Sequence, residues 1–213
     1  MFNTNMAYTR LLCACAAVLF AVLTAKASSE HFLKNFYTRD DWGAVPSTDL
    51  RPIKLPVPYV VIHHTYIPKA CNTFKQCSSD MRSMQNYHIS MNWGDIGYNF
   101  CVGSEGGAYE GRGWDHVGIH AGYANNYSIG ICLIGDWTVN KPPERQLKTT
   151  KALIATGVRL GKISSDYRLI GHNQAMATEC PGKALSTEIS SWEHYYPGEP
   201  DFLALKAAIM NTD

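Results

Sequence analysis

The chain has 213 residues, with 19 Lys and Arg against 18 Asp and Glu, a formal net charge of +1. That balance provides no basic field for nucleic acid or for an anionic membrane, so no nucleic-acid partner is expected and recognition must come from a shaped groove. Apolar residues make up 46% of the chain, which suits one domain with a real hydrophobic core.

At the N-terminus a single cation, Arg10, precedes an apolar run from Leu11 to Leu23, and Ala25 and Ala27 follow in a small-x-small arrangement. The run is shorter than the ~20 apolar residues of a spanning helix. Residues 1–27 are read as a signal peptide, and no later segment reads as a membrane span. The product is expected to be secreted and extracellular. Residues 28–213 are expected to form a single domain with a short C-terminal extension. Without Arg10 and Lys26 that part carries 17 basic and 18 acidic side chains.

PYVVIHHT (58–65) is a β-branched run behind Pro and predicts a buried strand. CSSDMRSMQNYHISM (77–91) places Met81, Met84, Tyr87 or His88, and Met91 at helical spacing, with Ser78 or Ser79 as its cap. Strands are expected at 97–103, 107–113 and 128–135, the first two joined in a hairpin by SEGG. Residues 142–161 predict the clearest helix: Pro opens it, Leu147, Ile154 and Val158 share a face, and Gly161 ends it. YRLIGH (167–172) predicts a last strand that delivers His172 at its end, and a short helix is expected at 183–191. Alternating strands and helices imply an α/β fold with a central mixed sheet and helices on its faces.

Five of the seven Cys lie beyond the leader. Export favours disulfides. Cys71 and Cys77, in the polar stretch CNTFKQC, are the natural local pair. Cys101 and Cys132 lie in apolar runs and read as small buried core residues, with a bridge between them left open. Cys180 has no apolar run around it, and an odd thiol in an exported protein needs an explanation.

His63 and His172 each end a strand, where loops above a layered sheet form a crevice. Together with Cys180 they make a three-ligand set for zinc, with a fourth position open to water. Zinc in such a site acidifies water and polarises a carbonyl, and it accounts for the odd thiol as a ligated thiolate. Taken singly, each residue is more often an ordinary surface or core group. His116 and His120 in DHVGIH are a competing pair at helical spacing, but four glycines around them (Gly111, Gly113, Gly118, Gly122) argue against a helix. No HExxH occurs.

VIHHT, DIGYNF, YEGRGW, the His of GIH, SIGI, and GHNQ followed by TECPG occur in the order seen in animal peptidoglycan recognition proteins. These resemble phage N-acetylmuramoyl-L-alanine amidases. The resemblance runs from about Tyr37 to about Tyr196 and rests on several separate motifs. It implies the zinc amidase fold, with zinc on His63, His172 and Cys180. It gives Tyr98 and Thr178 catalytic positions, Tyr98 as a donor to the attacking water or the developing oxyanion. Thr178 stands where the phage enzymes carry lysine. From the residues alone, Tyr98 reads as a strand aromatic in the core. Groove positions carry over to His64, Thr65, His88, Asn92, Trp93, Arg112, His120 and Asn125, and Cys71–Cys77 matches the family's common disulfide.

Family members that bind peptidoglycan without cutting it typically lack the Cys ligand. Its presence here implies an amidase that hydrolyses the bond between the muramyl lactyl group and L-Ala of the stem peptide, in innate immunity. Bacterial peptidoglycan and its muropeptides are the implied partners. The competing reading is a secreted module that binds wall fragments and signals. Arg112 matches the position where Arg accompanies diaminopimelate recognition. Asn92-Trp93 before DIGY is half of the pair typical of each stem-peptide type.

Overall fold

The computed structural model describes residues 35–210, so the signal peptide expected at 1–27 lies outside the described residues. In the body formed by Asn35 onward, six strands make one sheet in the order β1-β4-β3-β5-β2-β6. The strands are β1 (Phe36–Tyr37), β2 (Val57–His64), β3 (Phe100–Val102), β4 (Ala108–Glu110), β5 (Ser128–Leu133) and β6 (Ile163–Gly171). β2 runs parallel to both β5 and β6, β5 parallel to β3, and only β3 and β4 pair antiparallel. The expected mixed sheet is therefore present. The hairpin closes over the SEGG turn, where the Gly103 amide donates to the Gly107 carbonyl at 2.9 Å and Gly106 takes a φ of +96°, which favours glycine.

β2 lies between β5 and β6 and is buried along nearly its whole length, which is why it reads as a continuous apolar run. The helices are α1 (Arg39–Trp42), α2 (Phe74–Ser90), α3 (Glu144–Arg159), α4 (His172–Ala175), α5 (Lys183–Ile189) and α6 (Phe202–Met210). α2 begins three residues before its expected start. Its cap is Thr73, which accepts the Gln76 amide at 3.2 Å, so Cys77 lies inside the helix. Met81 and Met84 of α2 pack with Trp42, Ile96, Tyr109 and the Cys residues in one core cluster. α3 opens behind Pro143, ends at Gly161 with φ +67°, and lies along β3 to β6. α6 sets Phe202 against Tyr59 and Tyr127 in a second cluster. Among the described residues no helix is long and apolar enough to cross a membrane.

Cys71 and Cys77 are bonded, as the sequence suggested. Cys101 and Cys132 are bonded too, rather than lying as separate thiols. They are direct register partners on the adjacent parallel strands β3 and β5, with Cα atoms 4.5 Å apart. Register partners share a face, so their Sγ atoms meet in the core. Peptide mapping without reduction should recover both bridges. Because the Cys101–Cys132 bridge closes the longer loop, its removal should cost about 3–4 kcal/mol, against about 2 for Cys71–Cys77. Denaturant unfolding of the two Cys-pair-to-Ala variants reads this difference, and a greater loss from the shorter loop would contradict it.

Candidate metal centre

The parallel register brings the two histidines together. Ile62 of β2 pairs with Gly171, the last residue of β6, so His63 sits beside His172, which opens α4. Their ring centroids are 4.4 Å apart. The chain then makes the single turn α4 and returns, with the Asn173 amide donating to the Cys180 carbonyl at 2.8 Å. This places the Cys180 Sγ 3.8 Å from His63 Nδ1. Gly182 lets the loop lie flat: a Cβ there would come within 2.7 Å of the Trp137 backbone.

One ligand atom from each of His63, His172 and Cys180 lies within 4.8 Å of the others. Tetrahedral zinc, with Zn–S ~2.3 Å and Zn–N ~2.0–2.1 Å, separates a sulfur and a nitrogen ligand by about 3.6 Å, close to the distance found here. The Nε2 of His172 is buried and has no hydrogen-bond partner among the described residues. A soft thiolate with two imidazoles is a zinc donor set. The residues fit the ion.

The surroundings keep the histidines neutral. Burial lowers His63 well below the usual imidazole value, with neighbouring imidazoles adding to it. Burial likewise lowers His172 to about 4. Neutral imidazole is the ligating form. Without a cation, burial pushes the Cys180 thiol up to about 12, against a smaller opposing effect of the His64 amide, which donates to Sγ at 3.4 Å.

A cleft of about 520 Å³ opens over the ligands, lined by His64, Thr65, Tyr98, His172, Thr178 and Cys180 together with Tyr66, Thr138 and Glu179. Tyr98 precedes β3 and is half-buried, its ring 5.3 Å from His63. It lies outside the strand, lining the cleft while also packing against the core cluster around Trp42 and Ile96. Burial raises its phenol above the ordinary value, with the Cys180 charge as a second cause, so the phenol stays protonated. Thr178 accepts the Cys180 amide at 3.2 Å. Thr65 pins the rim by donating to the Pro68 carbonyl at 2.7 Å and accepting the Gly135 amide at 2.8 Å. His64 accepts the Trp137 amide through Nδ1 at 3.2 Å. Tyr66, Thr138 and Glu179 were not singled out in the sequence. Only adjacency to HHT and TECPG could have flagged Tyr66 and Glu179.

The remaining groove candidates divide. His88 and Trp93 stack at 4.6 Å near the end of α2, 5.8 Å from His88 to Tyr98, and Asn92 is exposed between them. Arg112, His120 and Asn125 each make hydrogen bonds within the protein itself. Arg112 is 2% exposed and donates to the carbonyls of Ile96, Asp49, Val117 and Trp93 at 2.8, 2.8, 3.3 and 2.6 Å. It is neither a free fork nor a solvated surface cation. Asn125 accepts the amides of His120 and Ala121. His120 lies behind His63, with its Nδ1 3.0 Å from His63 Nε2. The competing pair falls apart in the structure: His116 hydrogen-bonds the Arg112 carbonyl instead.

The family model for N-acetylmuramoyl-L-alanine amidase matches residues 53–183, a span that contains all three candidate ligands. Peptidoglycan-recognition protein LB of Drosophila melanogaster is 46% identical over 159 residues, covering 74% of this chain and 68% of its own. Its solved structure matches with a TM-score of 0.75 at 45% identity, over 76% of this chain and 96% of that one. A Mus musculus N-acetylmuramoyl-L-alanine amidase is 41% identical over 181 residues, covering 82% of this chain. This chain spans only 34% of that mouse protein's length. Peptidoglycan recognition protein LE, solved in complex with tracheal cytotoxin, a monomeric diaminopimelic acid-type peptidoglycan, matches with a TM-score of 0.75 at 43% identity over 77% of this chain and 97% of that one. The chain belongs to the N-acetylmuramoyl-L-alanine amidase family, which takes in the peptidoglycan-recognition proteins.

Proposed function

We propose that this chain is an exported zinc-dependent N-acetylmuramoyl-L-alanine amidase that binds bacterial peptidoglycan and cuts its stem peptide from the glycan, in innate immunity. The carrying observation is the convergence of His63, His172 and Cys180, with ligand atoms within 4.8 Å of one another, beside a cleft that His172 and Cys180 line. A binding-only protein has no need of a thiolate there.

The reaction is hydrolysis of the amide between the muramyl lactyl carbonyl and the nitrogen of L-Ala. A zinc ion on the three ligands would supply an acidified water and a Lewis acid for the scissile carbonyl. The chain's own groups do the rest. His64 and Thr65 wall the cleft and orient the peptide against the ligands. Tyr98 keeps its proton and offers it as a hydrogen bond where negative charge develops on the carbonyl oxygen. Thr178 holds the Cys180 amide, which fixes the loop bearing the thiolate. Release of soluble fragments from purified wall, with and without a chelator, tests the reading. Chelator-sensitive release is expected, whereas wall binding with no release at full zinc loading would favour the recognition-only alternative.

The substrate preference proposed is for diaminopimelate-type stem peptides. The diaminopimelic acid-type ligand of the protein LE complex supports it, as does the family resemblance at Arg112. Four of the five Arg112 N–H groups are engaged, so the residue acts first as a clamp on the loops around Trp93, Asp49 and Val117. Arg112→Lys should leave buried carbonyls unpaired and destabilise the chain by about 2–3 kcal/mol. It should also narrow the preference, measured as kcat/KM on diaminopimelate and lysine muropeptides. A parent with no preference would contradict the substrate reading, and a preference unmoved by the substitution would remove Arg112 from selection.

A further inference from the structure

We propose that His120 is a positioning residue for the metal centre: it fixes the tautomer of His63 so that Nδ1 presents its lone pair to the ion. The inference rests on the zinc reading above and assigns His120 a different role from a groove contact.

The two ring nitrogens of His63 face different partners. Nδ1 is the atom 3.8 Å from the Cys180 Sγ, so it faces the ligand set. A neutral imidazole carries its one proton on one nitrogen and a lone pair on the other. For Nδ1 to ligate, the proton must sit on Nε2. That atom lies 3.0 Å from His120 Nδ1, at the far side of a ring that is 1% exposed. His63 Nε2–H therefore donates to His120 Nδ1, and His120 carries its own proton on Nε2. The reverse arrangement, with His120 donating, would put the His63 proton on Nδ1 and block ligation. Ligating histidines usually find a carboxylate, a carbonyl or a water at this position; here the acceptor is a second neutral imidazole.

The fold builds a seat for that ring. A Cβ at Gly118 would lie 2.4 Å from His120, and one at Gly130, on β5, 2.5 Å from it. Both positions need glycine for the ring to fit beside β2. The backbone on either side is pinned as well, since the Asn125 Oδ1 accepts the amides of His120 and Ala121 at 2.9 and 2.7 Å. The two ring centroids are 5.0 Å apart with planes at 86°, and the facing nitrogens approach to 3.0 Å. His120 Nε2 is buried and has no hydrogen-bond partner among the described residues. The ring's one bond to another side chain is thus spent on a candidate ligand.

The test uses the whole mature chain and zinc itself. Zinc affinity is read by competition with a chromophoric chelator for the parent, His120→Leu and His120→Asn. Leu fills the seat without an acceptor, while the Asn side-chain oxygen can stand near the Nδ1 position. His120→Leu should bind zinc about 10–100-fold more weakly, and His120→Asn should recover most of that loss. The second readout is nitrogen NMR of the zinc-loaded parent, in which both His63 and His120 should carry their protons on Nε2. It needs no variant, so the proposal stays testable if His120→Leu does not fold. Parental affinity in a folded His120→Leu, no recovery in His120→Asn, or a proton on Nδ1 of His120 would each overturn the proposal. A parent that takes up no zinc overturns the metal reading itself and this inference with it; a parent that binds tightly beside an equally tight Leu variant overturns this inference alone.

Discussion

Cys180→Ser should reduce hydrolysis to the background rate while the protein stays folded and still binds wall. Sulfur supplies the one anionic ligand of the three, and a serine hydroxyl is a far poorer zinc ligand than a thiolate. The loop does not depend on the sulfur for its shape. The Cys180 carbonyl accepts the Asn173 amide, the Cys180 amide donates to Thr178, and the Gly182 amide donates to the Glu179 carbonyl at 2.7 Å. All three bonds survive the substitution. The contacts that change are those of Sγ itself, with the His64 amide at 3.4 Å, the His64 carbonyl at 3.6 Å and His63 Nδ1 at 3.8 Å. Turnover at equal zinc, wall co-sedimentation and a thermal melt separate the effects. Equal turnover by variant and parent would remove Cys180 from the chemistry, and joint loss of folding and binding would make its role structural.

Tyr98→Phe should lower kcat by ~10²–10³ with little change in zinc content, the usual effect of deleting one donor to a developing oxyanion. The geometry separates this donor from the ligands: the Tyr98 ring is 5.3 Å from His63 and is not among the ligand set. Its ring also packs near His88, at 5.8 Å, and Phe keeps that contact. Stability should therefore change little. Because the hydrogen bond strengthens only as charge develops, KM should move less than kcat. Unchanged kcat would return Tyr98 to a packing role, and lost zinc would mean that it supports the ligands.

The candidate ligands were legible because each lies at a place the local sequence marks. His63 closes a β-branched run, His172 follows another, and Cys180 is a thiol with no apolar run around it. What a linear reading lacks is which strands are neighbours. Cys101 and Cys132 are 31 residues apart, and only the parallel pairing of β3 with β5 makes them partners. The start of α2 was missed because Lys75 and Gln76 lie on its exposed face, so its first turn looks like a loop. The two-residue β1 carries too little pattern to be seen, and α6 was read only as an extension. Arg112 and His120 show a different limit. A motif marks a residue without telling which way its side chain turns, and both turn inward to hold other groups.

The amidase proposed here cuts one particular bond, and mass spectrometry of defined muropeptides after incubation with the zinc-loaded protein identifies it. Cleavage between the lactyl group and L-Ala should release the intact stem peptide with a free L-Ala amine and leave the sugar with its lactyl carboxylate, one water being added across the bond. The products should vanish with chelator and return with zinc. Intact muropeptide at full zinc occupancy, or products cut within the peptide or the glycan, would contradict the account.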